Sequence, residues 1–216
     1  MNFWEERWHL GQTGWHNQSV NDNLQAHAST LFPTESPTIF VPLCGKTLDM
    51  GWLAEQGAQV IGVDLVEKAI HEFFTEREES PKCSIEHEIP HFKTENITLL
   101  KSDIFNVTTD VIGPIDAIFD RAALVALTLE RRQDYVNHCL SLLKPGGTIL
   151  LITYDSPVAD IQGPPFPVRK GTVESLYTQA TNCELLAEVM MKPEDDERLA
   201  KRGLAWSRSD IWKITK

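Results

Sequence analysis

The sequence predicts an α/β fold, in which a mostly parallel, seven-stranded sheet has an antiparallel last strand and an N-terminal helical cap. Three observations support this prediction. From residue 38 onward short apolar runs alternate with amphipathic runs, glycine and proline mark their boundaries, and only a charged loop separates the last two apolar runs. Strands that alternate with helices form a parallel sheet with helices on both faces, whereas two successive strands pair in antiparallel fashion.

Residues 1–36 are polar and rich in Trp, His and Asn, which predicts a cap outside the sheet. Residues 37–216 then form the α/β core, and 1–216 is predicted to be a single domain. Seven segments read as strands because they are short, apolar and bounded by turn residues. In chain order they are 38–42, 58–64, 96–103, 115–120, 148–155, 182–190 and 204–215.

Three segments have the periodicity of helices. Residues 47–57 end at Gly57, residues 66–78 are amphipathic, and residues 131–144 end at the helix-terminating run Pro145-Gly146-Gly147. Residues 83–95 interrupt the alternation and form either a small hairpin or a loop.

Composition excludes several classes of protein. The 216 residues are 42% apolar and 24% charged, which is typical of a globular domain. The net charge of −11 repels nucleic acid and anionic lipid, so neither is expected as a partner. Because the sequence contains no long apolar run and no signal-like N-terminus, we expect a cytoplasmic protein that does not span a membrane. A monomer is the default expectation, since no long heptad pattern occurs.

The spacing of the cysteines and histidines does not predict a metal site. Four cysteines lie far apart without a CxxC pair, which fits reduced cytoplasmic thiols. His87 and His91 are four residues apart, but Pro90 would break the helix that this spacing requires.

The turn after the first strand is a candidate binding loop, because ligands of open α/β sheets lie beyond the carboxyl ends of the strands. Gly45 is the only glycine in this turn, too few for the pyrophosphate fingerprint of dinucleotide sites. One glycine still allows the backbone to approach a smaller uncharged or zwitterionic group. Alternatively, Gly45 is only the turn residue that a strand-to-helix loop needs.

Two acidic residues follow the next strands. Asp64 ends the second strand, where a carboxylate accepts hydrogen bonds from ribose hydroxyls, although it could equally cap the following helix. Asp103 follows the third strand, where the base of a nucleoside would lie, and Ile104 could pack on that base. The alternative for Asp103 is an ordinary solvated carboxylate. Gly45 and Asp64 together favour a nucleoside-containing ligand.

Several segments resemble one family along nearly the whole chain. They are WEERW (4–8), FVPLCGKTLDMGWLAEQG (40–57), VIGVDLVEKAIHEFF (60–74), FDRAALVAL (119–127), SLLKPGGTILLITY (141–154) and GPPFPV (163–168). They resemble thiopurine S-methyltransferases, in particular the shorter bacterial members. The resemblance implies a class I methyltransferase, Rossmann-like fold. It also implies S-adenosyl-L-methionine as methyl donor, S-adenosyl-L-homocysteine as product, and small aromatic or heterocyclic thiols such as thiopurines as acceptors.

The resemblance also implies functional residues. Those that would contact the donor are Trp4, Trp8, Trp15, Leu43, Gly45, Asp64, Asp103, Ile104 and Arg121. Those on the acceptor side would be Pro164, Pro165, Phe166, Arg198 and again Arg121, which is the candidate catalytic residue. Position 64 departs from the glutamate that is frequent in the family.

The implied reaction is an in-line displacement in which a cation and an anion become two neutral molecules, so a water-poor site favours it. An aromatic thiol is more acidic than cysteine, so much of it could arrive as thiolate, which would explain a site without an evident general base. Arg121 could bind a ring nitrogen or developing charge, and a tryptophan could face the sulfonium.

Each role has a structural alternative. The three tryptophans could simply anchor the cap, Arg121 could form an ion pair with Asp120, and Cys44 is expected to be a buried structural thiol rather than a nucleophile. Three other functions compete with thiol methylation. A halide, selenium or tellurium methyltransferase would share the donor pocket, and a donor-binding sensor module would lack catalysis. A nicotinamide-dependent oxidoreductase is opposed by the missing glycines.

Overall fold

The computed structural model describes residues 3–157, 163–195 and 197–216. Its strands are β1 (Thr38–Val41), β2 (Gln59–Asp64), β3 (Lys82–Glu86), β4 (Ile89–Lys93), β5 (Ile97–Lys101), β6 (Ile115–Arg121), β7 (Leu143–Asp155), β8 (Asn182–Met191) and β9 (Ser207–Thr215). Its α-helices are α1 (Phe3–His9), α2 (Asp22–His27), α3 (Leu48–Glu55), α4 (Glu67–Glu76), α5 (Thr109–Ile112), α6 (Leu129–Leu142), α7 (Lys170–Leu176) and α8 (Glu197–Lys201).

The strands form one sheet in the order β3-β4-β5-β2-β1-β6-β7-β9-β8. The five strands from β5 to β7 in this order are parallel, and β9 runs antiparallel between β7 and β8. The predicted α/β class and antiparallel last strand are therefore confirmed. The predicted number of strands was wrong, because the described residues form nine strands rather than seven.

The two additional strands, β3 and β4, correspond to the segment 83–95, for which the sequence did not distinguish a hairpin from a loop. β3 and β4 form a hairpin, and β4 pairs antiparallel with β5, which extends the edge of the sheet. His87 and Glu88 make the turn with φ of 50° and 63°. Two successive positive φ values define a tight hairpin turn that usually contains Asn and Gly. Because those residues are absent, the turn had no clear sequence signal.

Both faces of the sheet are buried. Along β1, Phe40 packs into the core beneath α6, whereas Ile39 and Val41 pack into the core beneath α3 and α4. Side chains alternate between the faces of a strand, so a strand covered on both sides is apolar throughout. α6 ends at Leu142, and the Pro145–Gly147 run belongs to β7 rather than to a helix end, because Gly146 and Gly147 hydrogen-bond with Lys216.

The N-terminal cap packs on this core through apolar side chains. Leu24 of α2 and Leu31 are fully buried against the face that α3 and α4 cover. The order of strands reverses at β1, whose neighbours are β2 and β6, and the carboxyl ends of these strands form the crevice where ligands bind in such sheets. Within the described residues, no helix is both long enough and apolar enough to cross a bilayer.

Candidate active site

The turn between β1 and α3 has a strained backbone. Leu43 and Gly45 have φ of 46° and 53°, and the amide of Cys44 donates to the carbonyl of Val63 at 2.9 Å. A Cβ at position 45 would lie 3.2 Å from the ring of Trp8. Glycine is thus favoured here by both its φ and its close contact with the cap. Strained backbone of this kind is concentrated at binding sites.

Asp64 links this turn to the start of α4. Its carboxylate accepts from the amide of Gly45 at 2.7 Å and from the amide of Val66 at 2.8 Å. Withdrawal from water raises the pKa of Asp64 to about 6, although these two bonds oppose the shift. Val66 occupies the N-cap position of α4, so Asp64 fixes the helix start from outside rather than as its cap residue. Each carboxylate oxygen keeps a lone pair for a further donor.

The three tryptophans of the cap lie together beside Gly45. The ring centroids of Trp4 and Trp15 are 5.3 Å apart and those of Trp8 and Trp15 are 6.1 Å apart, both edge to face. Trp8 is only 3% exposed and packs with Val66 of α4. The cluster therefore anchors the cap, as the structural alternative expected. Trp8 and Trp15 also line the pocket described below, whereas Trp4 packs behind Trp15.

Arg121, at the end of β6, lies between the cap and α3. It donates to the carbonyl of Trp15 at 3.1 Å, and its Nη1 lies 4.0 Å from Oδ2 of Asp49. The alternative of an ion pair with Asp120 was wrong. The Asp120 carboxylate accepts from the hydroxyl of Tyr135 at 2.7 Å, and burial raises its pKa to about 6. The two neighbours diverge because successive residues of a strand point to opposite faces.

Asp49 of α3 contacts the cap, the turn after β1 and the end of β6. This carboxylate is 1% exposed and accepts from the amide of Asn21 and from the hydroxyl of Thr47, both at 2.8 Å. Together with Arg121 it attaches both ends of the cap segment 15–21 to the core. The segment between these attachments contains His16.

A pocket opens where the cap, the first turn and the end of β6 meet. Its cavity volume is about 20 Å³, which is room for about one water molecule and shows that the cap packs closely over this point. Its lining residues are Trp8, Trp15, His16, Val41, Leu43, Cys44, Gly45, Lys46, Thr47, Asp49, Phe119, Arg121 and Ala122. Burial raises the pKa of Cys44 well above its usual range, so it is a thiol and not a nucleophilic thiolate.

Asp103, the acidic residue that follows the third predicted strand, lies near the end of β2 but is exposed to solvent. Asp103 is exposed and accepts from the amide of Phe105 at 3.0 Å, which caps a short 3₁₀ helix (Ile104–Asn106). Ile104 is 6% exposed and belongs to the core. The amide of Ser102 donates to the carbonyl of Asp64 at 3.0 Å, so the two strand ends are adjacent.

The predicted acceptor segment follows the undescribed residues 158–162. Pro164, Pro165 and Phe166 are half-buried, and the peptide bonds before both prolines are cis. The amide of Phe166 donates to the carbonyl of Val125 at 2.7 Å, in the loop that follows Arg121. Position 198 lies in α8, but the side chain of Arg198 is outside the described part of the structure.

Buried Arg132 fixes this segment. It is 1% exposed and donates to the carbonyls of Leu127 at 3.1 Å, Pro167 at 3.2 Å and Phe166 at 3.5 Å. Its guanidinium thus joins the loop after β6 to the segment 163–168.

Sequence reasoning missed three of these residues. Arg132 lies on the same face of α6 as Tyr135 and Val136, three and four positions on, so helical periodicity could have indicated its burial. Asp49 is an acid within the apolar run of α3, which is a similar signal. For His16, the only signal in the sequence was its position next to Trp15.

The family model described as thiopurine S-methyltransferase (TPMT) matches residues 1–216. A thiopurine S-methyltransferase of Legionella pneumophila (strain Corby) is 39% identical over 214 residues, which cover 99% of this chain and 97% of that protein. One of Nitrosospira multiformis is 39% identical over 212 residues, covering 98% and 96%. One of Shewanella putrefaciens is 37% identical over 206 residues, covering 94% and 93%.

Among solved structures, a Burkholderia thailandensis 1,6-didemethyltoxoflavin-N1-methyltransferase with bound S-adenosylhomocysteine superposes with a TM-score of 0.65 at 15% identity, covering 98% of this chain and 84% of that one. A Haemonchus contortus phosphoethanolamine N-methyltransferase 2 in complex with S-adenosyl-L-methionine gives 0.66 at 14% identity, covering 99% and 56%. At such low identity these two show the class I methyltransferase fold alone. Since the family model and the relatives extend along the whole chain, the protein belongs to the thiopurine S-methyltransferase family of S-adenosylmethionine-dependent methyltransferases.

Proposed function

We propose that the enzyme methylates the sulfur of small aromatic or heterocyclic thiols, thiopurines among them, by direct in-line transfer to the thiolate. The observation that carries this proposal is that three different strand ends meet at one point: Gly45 and Arg121 line the pocket with Trp8 and Trp15, and Asp64 accepts from the amide of Gly45. The relatives named for thiopurine methylation support the acceptor class.

The residues around the pocket fit the donor. The carboxylate of Asp64 has free lone pairs for the ribose hydroxyls, and Leu43 and Gly45, which line the pocket, would adjoin the amino-acid end. Trp15 and Trp8, with Trp4 behind them, would provide aromatic faces for a cation, and Asp103 with Ile104 would adjoin the adenine. The donor, when bound, supplies a methyl group on a positively charged sulfur.

The acceptor side would be formed by Pro164, Pro165, Phe166 and Arg198, with Arg121 reaching it from the end of β6. Apolar side chains exclude water, which favours a reaction that neutralises charge. The Arg121 guanidinium, fixed by Trp15 and Asp49, would orient the ring or the charge of the acceptor. We further infer a single-domain, monomeric, cytoplasmic enzyme, consistent with the four cysteines being unpaired in the structure.

Methyl transfer from labelled S-adenosylmethionine to 6-mercaptopurine, thiophenol, iodide and selenite, measured in parallel, tests this proposal. We expect methylated thioethers from both thiols. Product from iodide or selenite alone would reject the thiol function in favour of a halide or chalcogen methyltransferase. Binding of the donor without product from any acceptor would favour a sensor module.

Asp49→Asn is expected to weaken binding of S-adenosylhomocysteine about tenfold, or about 1.4 kcal/mol. The substitution removes the negative charge opposite Arg121 and loosens the attachment of segment 15–21. Isothermal titration calorimetry measures this change.

Asp116→Asn is the matched control. Asp116 also accepts from a backbone amide, that of Thr38 at 2.8 Å, and pairs with Lys144 at 2.6 Å, but at the opposite ends of the strands. We expect similar losses of unfolding free energy in the two variants and unchanged ligand affinity in Asp116→Asn. Equal affinity losses would show that Asp49 acts only through overall stability.

A further inference from the structure

His16 lines the pocket from the cap, and the fold fixes its position. Segment 15–21 is attached at one end by Arg121, which donates to Trp15, and at the other by Asp49, which accepts from Asn21. The amide of His16 also donates to the carbonyl of Thr13 at 2.8 Å. The half-buried imidazole therefore faces the pocket as part of its wall rather than as a side chain in solvent.

Five of the described residues that line the pocket have ionisable side chains, and four of them are unsuited to accept a proton. Burial keeps Cys44 protonated by raising its pKa. Lys46 forms ion pairs with Glu72 at 2.8 Å and Glu76 at 2.5 Å, and these glutamates raise its pKa. Both groups are therefore already protonated at neutral pH.

The other two unsuited groups are Arg121 and Asp49. The Arg121 guanidinium is permanently charged and has no acceptor atom. Asp49 is 1% exposed, and both of its oxygens accept hydrogen bonds, from Asn21 and Thr47. His16 is the fifth group.

The surroundings of His16 favour its neutral form. Burial lowers the pKa of His16, and the positive charges of Lys46 and Arg121 lower it further, while Glu72 and Glu76 of α4 oppose this effect. Asp49, which also lines the pocket, lies 4.0 Å from Nη1 of Arg121 and offsets part of its charge. A neutral imidazole has one ring nitrogen with a free lone pair, which is the form a general base requires.

We propose that His16 is a catalytic base that accepts the proton of the acceptor thiol. The proposal rests on the proposed thiol function. The S–H proton passes to an imidazole nitrogen, and the sulfur uses the freed electron pair to bond the methyl carbon. The donor's carbon–sulfur bond breaks, its electrons neutralise the sulfonium, and the imidazolium later returns the proton to water. Thiols that are protonated at neutral pH thereby become substrates.

Thiols of graded acidity test this role. The series runs at neutral pH from 4-nitrothiophenol, which is ionised, through 6-mercaptopurine to benzyl thiol, which is protonated. We compare kcat/KM for wild type, His16→Gln and His9→Gln, since His9 is exposed on α1 and does not line the pocket. For His16→Gln we expect about a twofold loss with 4-nitrothiophenol and a loss of at least about 100-fold with benzyl thiol, the usual contribution of a general base.

A loss in His16→Gln that is the same for every thiol would overturn the proposal, because a purely structural role does not depend on thiol acidity. So would a similar graded loss in His9→Gln. Unchanged affinity for S-adenosylhomocysteine in His16→Gln would support a role in the proton transfer itself. Failure of the wild type with every thiol would reject the proposed function and this role with it, whereas active wild type with parallel losses rejects only the role of His16.

Discussion

Asp64→Ala is expected to weaken binding of S-adenosylhomocysteine by at least about 100-fold, since hydrogen bonds to a charged group contribute about 1.5–3 kcal/mol each and we propose two to the ribose. The substitution also removes the link from the amides of Gly45 and Val66 to the carboxylate. Calorimetric titration measures the affinity. Wild-type affinity in this variant would refute the ribose role.

The pH dependence of binding provides an independent check on Asp64. Its pKa of about 6 lies above the usual value of a carboxyl group, so burial disfavours the ionised form in the free protein. Hydrogen bonds from ribose hydroxyls favour the ionised form and would lower this pKa, so binding releases protons near pH 6. Donor affinity should therefore fall as pH decreases below about 6. In the matched variant Asp64→Asn this dependence should disappear.

The raised pKa of Asp64 also affects the stability of the free protein, which should fall as pH rises, whereas donor affinity should rise. Below the unfolded pKa, about 4, both states are protonated and the cost of burying the charge is absent. As pH rises towards 6 the unfolded chain ionises first, and the contribution of Asp64 to stability is lost. Saturating S-adenosylhomocysteine should reverse part of this loss in thermal unfolding above pH 6.

Arg132→Met is expected to lower the free energy of unfolding by about 3–5 kcal/mol, because it removes a buried guanidinium and leaves three partly buried carbonyls without their donor. These belong to Leu127, Phe166 and Pro167, so the substitution separates the loop after β6 from the predicted acceptor segment. Urea unfolding measures the loss. Arg131→Met is the control: its side chain is exposed and lies over Phe105 at 4.9 Å, a contact of about 0.5–1 kcal/mol.

Arg132→Lys separates positioning from stability. Lysine keeps the charge but cannot direct donors at several carbonyls in one plane as a guanidinium does. In this variant we expect KM for the thiol to rise while affinity for S-adenosylhomocysteine stays unchanged. If both constants change in proportion, Arg132 supports the whole domain rather than the acceptor segment.

Local sequence patterns predicted which residues lie at the carboxyl ends of the strands, and so which residues of the candidate site lie close together. Gly45 and Asp64 are 19 residues apart and hydrogen-bonded, because the carboxyl ends of adjacent parallel strands meet at one edge. The hairpin of β3 and β4 could not be assigned, since His87 and Glu88 adopt positive φ without the usual turn residues.

Contacts between distant segments could not be predicted in this way. Arg121 and Trp15 are separated by 106 residues, and Asn21 and Asp49 by 28. No periodicity relates such pairs, so the attachment of segment 15–21 and the placement of His16 required the structure. Arg121 and Asp120 do not form the ion pair that was considered, because successive side chains along β6 point to opposite faces of the sheet.

The position of β9 also affects how the protein is made. This strand lies between β7 and β8 and pairs with both, although it follows both of them in the sequence. Until residues 207–215 are synthesised, β7 and β8 each present an unpaired edge, which is the kind of surface that promotes association between chains. The vulnerable interval in biosynthesis therefore lies between the synthesis of β8 and that of β9, after the residues that surround the candidate pocket have already emerged.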